Sequence, residues 1–317
     1  MIRSATHAGS WYSGNEAQLN HDLDKYLSRV PTITEDDRSY PIKGTKAIIA
    51  PHAGYSYSGP AAAYAYKCID IDPIKRIFIL GPSHHVYLDG CAVPKTKEYE
   101  TPLGNLAVDT ETIDELRQNR LFKTMSNSVD EEEHSIEMHL PYTYKMFESK
   151  IDDIKVVPIM VGSISSDKEK VYGEALAPYL SDPATLFIVS SDFCHWGSRF
   201  RYTYYRADET SEPIHLKSST KSSEITTPIH KSISNLDHRG MEIIETLNHE
   251  DFAKYLRETD NTICGRHPIG VLLAALAVLR QNSQQKQQLK FVHYDQSSPC
   301  KTSKDSSTIS NRNDSVK

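Results

Sequence analysis

The chain has 317 residues, 36 Lys plus Arg against 42 Asp plus Glu, a net charge of −6 and a pI near 6.2. Its length suits one large α/β domain or two small ones, and without a basic field it is a poor candidate for general nucleic-acid binding. A hydrophobic fraction of 38% with 25% charged residues is globular but slightly polar, so a disordered segment is expected somewhere.

The N-terminal run MIRSATHAGSW has no apolar stretch of the kind a secretion signal needs, and none is expected. Leu19, Leu23, Tyr26, Leu27 and Val30 then share one helical stripe behind a cap at Ser13 or Asn15. The apolar run 46–50 leads into Pro51, His52, Gly54 and Tyr55, and an Ala-rich helix is expected over 61–68. The run 76–80 leads into Gly81, Pro82, His84 and His85. A third run, 155–161, ends at Gly162, a helix is expected over 168–180, and the run 186–189 opens into Ser190, Asp192, Cys194 and His195. Short apolar runs without alternation suit strands buried on both faces of a parallel sheet. Residues 208–228 are rich in Ser and Thr and read as a mobile surface insertion. Helices come next over 240–247 and 268–279, the second with Pro268 at its first position and too short to span a bilayer. Residues 301–317 read as a polar tail. The expected architecture is one α/β domain over 1–300. It is a three-layer α/β/α sandwich with a mostly parallel central sheet and its site beyond the carboxyl ends of the strands.

Three histidine-bearing loops leave the sheet at that end and can converge. Among the histidines, His21, His215, His230, His238 and His249 lie in polar surroundings and are expected at the surface. His52 and His84 each sit just past a buried strand end. Cys264 precedes the helix opened by Pro268, where a helix N-terminus and Arg266 favour thiolate. Together the three make a His/His/Cys metal site. Asp192 and His195, three residues apart, suit an acid/base pair or further ligands. Cys194 is expected to be buried, and no G-x-S-x-G elbow supports a serine hydrolase. His134 and His139 are five apart and miss the H-E-x-x-H pattern, so they read as a helix end with one polar face toward the site. The stretch 199–206 interleaves Arg199, Arg201 and Arg206 with aromatics, which suits a phosphate grip or an ordinary amphipathic strand. The five cysteines at 68, 91, 194, 264 and 300 are scattered and hold no C-x-x-C, as in a reduced, cytoplasmic protein, with the nucleus left open.

The motifs THAGSWY (6–12), IIAPHAGYSY (48–57), IFILGPSHHV (77–86), EHSIEMHLPY (133–142), VSSDFCHWG (189–197) and NTICGRHPIG (261–270) together resemble the Memo family, named as mediators of cell motility. The resemblance implies a fold like that of class III extradiol dioxygenases, whose non-haem iron serves ring cleavage. It also implies copper or iron binding, and phosphotyrosine-peptide binding in cytoskeletal signalling. On this chain the family's metal ligands fall on His52, His84 and Cys264, and its peptide groove on Trp11, Tyr57 and His195. Two departures are visible: the insertion at 208–228 looks long, and the residues after Ser310 are polar, so the closing strand is expected to be missing or altered.

Three functions emerge as expectations. Two imidazoles and a thiolate suit copper, iron or zinc, and favour redox chemistry over ring cleavage, because Cys264 replaces the carboxylate of the extradiol triad. Alternatively the cleft is a phosphotyrosine-peptide module with a vestigial site and no catalysis. Metal-assisted hydrolysis would use Asp192 or His195 as base.

Overall fold

Buried apolar runs set the sheet. In the computed structural model, which describes residues 1–34, 37–282 and 286–313, Ala47–Ala50, Arg76–Pro82, Lys155–Val161 and Thr185–Ser190 are strands buried almost throughout. With the shorter strands, chain order gives β1 Ile2–Arg3, β2 Ala47–Ala50, β3 Arg76–Pro82, β4 Cys91–Val93, β5 Glu98–Tyr99, β6 Leu106–Val108, β7 Phe122–Thr124, β8 Lys155–Val161 and β9 Thr185–Ser190. Among the described residues these form one sheet in the order β1-β5-β6-β8-β3-β9-β2, with β4 and β7 off that path. The four long strands pair in parallel, so their carboxyl ends lie together. Phe78 and Phe187 stack across β3 and β9 at 4.6 Å.

Helices cover both faces. They are α1 Glu16–Ser28, α2 Tyr55–Lys67, α3 Thr110–Gln118, α4 Asn127–Glu132, α5 His134–Glu137, α6 Leu140–Phe147, α7 Ser166–Ser181, α8 Ile229–Glu245, α9 His249–Thr259 and α10 Arg266–Asn282. α7 and α10 pack on each other and on β9, while α1, α2 and α6 pack together in a second layer, which makes the expected α/β/α sandwich. Asn15 is the α1 cap, its side chain accepting from the Gln18 N–H at 2.9 Å. Two helices begin before their apolar signal: α2 starts at Tyr55, directly after the His52 loop, and α8 starts at Ile229 rather than 240. α10 starts at Arg266, so Pro268 sits inside its first turn rather than at its first position.

The C-terminal stretch departs most from the expectation. Phe291–Gln296 (β12) and Ile309–Asn313 (β13) form an antiparallel hairpin, so the described part of the polar run carries a closing strand. Trp196 and Ser307 exchange backbone hydrogen bonds of 2.9 and 3.0 Å, tying the hairpin to the loop after β9. Backbone ladders make this strand, and hydropathy does not report them. Within 208–228, Ile214–His215 (β11) pairs with Tyr204–Tyr205 (β10), and Leu216 is buried. No described helix is long and apolar enough to cross a membrane.

Candidate metal centre

His52 follows β2, His84 follows β3, Asp192 and His195 follow β9, and Cys264 lies in the turn before α10. One nitrogen each of His52, His84 and His134 lie within 4.8 Å of one another, a group able to hold a metal ion. Cys264 meets it at His52, with Sγ 3.2 Å from Nε2. His52 and His134 are buried, and the side chain of His84 is 27% exposed.

The hydrogen bonds fix which nitrogen of His52, His84 and His195 meets an outer partner. Ser190 Oγ donates to the Ser135 carbonyl at 2.7 Å, so it accepts from His52 Nδ1 at 2.6 Å. The Glu133 carboxylate can only accept, so His84 Nδ1, 2.8 Å from Oε1, is the donor. His195 Nδ1 donates to the Thr262 carbonyl at 3.1 Å. Each of these three rings is thus held at Nδ1 by an outer hydroxyl, carboxylate or carbonyl, as in metal-binding histidines, which leaves Nε2 as the nitrogen turned away from that partner.

Two glycines allow this assembly. A Cβ on Gly81 would lie 2.5 Å from Ser135 Oγ, and one on Gly265 would lie 2.4 Å from the Ser190 carbonyl oxygen. Only glycine lets α5 approach β3, and the turn before α10 approach the end of β9.

The electrostatics favour neutral ligands. Burial, reinforced by the imidazoles of His84, His134, His139 and His195, holds His52 well below the ordinary histidine value. Burial and His84 hold His134 at about 3. Glu133 is raised by burial, but the bond and charge of His84 win and bring it to about 2. Asp192 is pushed up by burial against the pull of His195, and its Oδ1 accepts from the His52 N–H at 3.1 Å. Cys264 corrects the sequence reading. Burial and Asp192 push its thiol up, and Arg266 pulls back too little, so without a cation the thiol keeps its proton. Imidazoles, two of them (His52 and His134) held neutral, and a thiol that a metal would deprotonate form a set fit for a transition ion rather than calcium or magnesium.

Trp11 stacks on His134 at 4.3 Å, and His134 on His84 at 4.5 Å. Tyr57 is 61% exposed on the first turn of α2 and shares none of these ring contacts among the described residues. Phe200 meets His195 edge-on at 5.2 Å, with the Arg199 guanidinium 4.9 Å from the Phe200 ring. Cys194 is buried as expected. His249, expected at the surface, is buried instead with Nε2 2.7 Å from Glu169, because that carboxylate supplies the partner a buried imidazole needs. His134 belongs to the centre itself rather than to a polar helix face alone, and Glu133 supports it. Their signal was the capping pattern of Glu133, whose side chain accepts from the Ser135 N–H at 2.9 Å and so starts α5 at the site.

Fold and site together define an α/β/α protein with a histidine group able to hold a metal ion at the carboxyl ends of a mostly parallel sheet. The chain belongs to the Memo family: the family model described as Memo-like protein matches residues 3–311. It is 48% identical over 307 residues to Protein MEMO1 of Xenopus laevis, and 47% identical over 307 residues to Protein MEMO1 of Homo sapiens. Both alignments cover 97% of this chain and 95% of the relative. The "Protein memo-1 homolog" of Caenorhabditis elegans is 44% identical over 96% of this chain and 80% of its own. Among solved structures, an uncharacterized Escherichia coli K12 protein, JW3007, aligns with a TM-score of 0.47 and 13% identity, over 84% of this chain and 98% of its own.

Proposed function

We propose that this Memo-family protein holds one copper or iron ion at His52, His84 and Cys264 and acts in redox chemistry linked to motility or growth signalling; zinc also suits the donors. The observation that carries the reading is the orientation of His52 and His84, each held from behind at Nδ1, with the Cys264 thiol 3.2 Å from His52 Nε2. Bound there, copper or iron would supply one-electron chemistry with dioxygen. The chain's own part is to orient the rings, exclude water around His52, and hold Cys264 Sγ with the Asp192 N–H at 3.2 Å. His195 Nε2 and the buried Asp192 carboxyl are the groups placed to take and return protons. The five unpaired cysteines fit a reducing cytoplasm.

A second reading rests on Trp11, whose ring plane caps His134, and on Arg199 over the Phe200 ring that meets His195: an aromatic shelf and a cation suit a phosphotyrosine side chain. Oxygen uptake by the copper- or iron-loaded chain with a reductant separates the two. The redox reading expects uptake faster than an equally chelated metal blank, and its loss in Cys264→Ala. Uptake no faster than the blank, beside micromolar binding of a phosphotyrosine peptide, would favour the binding module.

A further inference from the structure

Asp237, on α8, is fully buried, and no cation faces it among the described residues. Its Oδ1 accepts from the Cys194 N–H at 3.3 Å and from Asn261 Nδ2 at 3.0 Å, and its Oδ2 accepts from the Tyr294 hydroxyl at 3.3 Å. The titratable groups turned toward it from neighbouring elements are Cys194 after β9, Tyr202, Tyr255 on α9 and Tyr294 on β12, all uncharged at neutral pH. On its own helix, His238 is taken by the Ser234 carbonyl at 2.7 Å and Arg239 by Glu258 at 2.8 Å.

The two segments it holds are those that carry the centre. Residues 192–195 and 261–264 lie side by side: the Cys264 N–H donates to the Asp192 carbonyl at 3.3 Å, and the His195 N–H to Thr262 Oγ1 at 2.8 Å. Asp237 closes this pair from behind, at Cys194 and Asn261. A buried carboxylate without a cation is costly to the fold, and an asparagine could accept the same two bonds through its carbonyl with no charge. The charge therefore calls for a use that the hydrogen bonds alone do not give. We propose that Asp237 is a positioning residue of the metal centre, its carboxylate anchoring both loops and its unpaired charge favouring a cation held at Cys264. This rests on the metal reading above.

Burial lifts the Asp237 carboxyl from 3.8 to about 7, against the pull of Asn261, Cys194 and Tyr294. The folded chain thus holds this proton more tightly than the unfolded one. Ionisation weakens the metal-free fold progressively as pH rises between those values, and the full penalty stands above the higher one. Asp237→Asn removes the penalty. The metal-free variant should melt a few degrees above the parent at about pH 8 and level with it near pH 4. Its cobalt(II) affinity, followed by a Cys264-dependent thiolate band under chelator competition, should be about tenfold weaker at about pH 8, with the gap closing below pH 6. A purely structural role moves both readouts down together, at every pH. That result, or an unchanged affinity, would overturn the proposal. Should the variant not fold, Tyr294→Phe removes one donor and should raise the pH at which full affinity is reached; an unshifted profile would count against the proposal. A parent chain whose cobalt spectrum matches that of Cys264→Ser would instead sink the metal reading on which the proposal stands.

Discussion

Glu133 shows how one side chain can do three jobs in the centre. Its carboxylate accepts from the His84 ring at 2.8 Å, from the His84 N–H at 2.6 Å and from the Ser135 N–H at 2.9 Å. Glu133→Gln keeps the shape but offers only one accepting oxygen and no charge. We expect metal affinity to fall by about 10- to 100-fold, the usual effect of losing such a partner, as read by chelator competition. An affinity equal to that of the parent would show that His84 is oriented by something else. His139 sets a pH limit. It is fully buried, with Nδ1 2.9 Å from the Tyr66 hydroxyl, and burial brings it from 6.5 to about 3. Between those values the unfolded chain binds the proton and the folded one does not. The stability it contributes is therefore whole above the upper value and lost as pH falls toward the lower. Thermal midpoints of the metal-free chain should drop over that window, and less steeply in His139→Gln; parallel profiles would contradict this. At this scale His52 and His84 could be picked from the sequence because each follows an apolar run beside Gly or Pro, and Cys264 because it stands just before the apolar helix that contains Pro268. Glu133 and Ser190 could not, because their partners lie 49 and 138 residues away along the chain.

The elements that carry the centre are short and held by polar contacts. The N-terminal strand β1 delivers Arg3 into a fully buried cluster, 2.5 Å from Glu137 and 3.3 Å from Asp130, with Tyr99 donating to Asp130 at 2.6 Å. Glu137 also accepts from the Tyr12 hydroxyl at 2.7 Å and bonds His7 Nδ1 at 2.8 Å. This cluster fixes α4 and α5, and so His134, against the start of the chain. Arg3→Met leaves two carboxylates buried without their cation, and we expect about 3–5 kcal/mol of destabilisation in urea unfolding. A loss well under about 1 kcal/mol would mean that the cluster rearranges without cost. Long buried strands were legible here because a sheet covered on both faces needs continuous apolar runs. The starts of α2 and α8 were not, since Tyr55, Ser56 and Tyr57, or His230 and Lys231, lack the apolar density that marks a helix by pattern alone.

Across the molecule, chemistry concentrates at one edge of the sheet while its periphery varies in how it is held. Composition does not show the β10–β11 and β12–β13 ladders, because they rest on backbone bonds that any short segment can make, even one inside a polar stretch. Removal of residues 217–224 spares both the β10–β11 ladder and buried Leu216, so the thermal midpoint should change by no more than a few degrees. A collapse of the fold would show that this stretch supports the core. A metal at the carboxyl edge of the sheet is the central claim, and metal content tests it most directly. Metal analysis of the chain purified under reducing conditions from its source cells should find one copper or iron per chain. Occupancy should fall strongly in His52→Ala and in Cys264→Ser while both keep the parent fold. Equal occupancy in parent and Cys264→Ser would contradict the assignment.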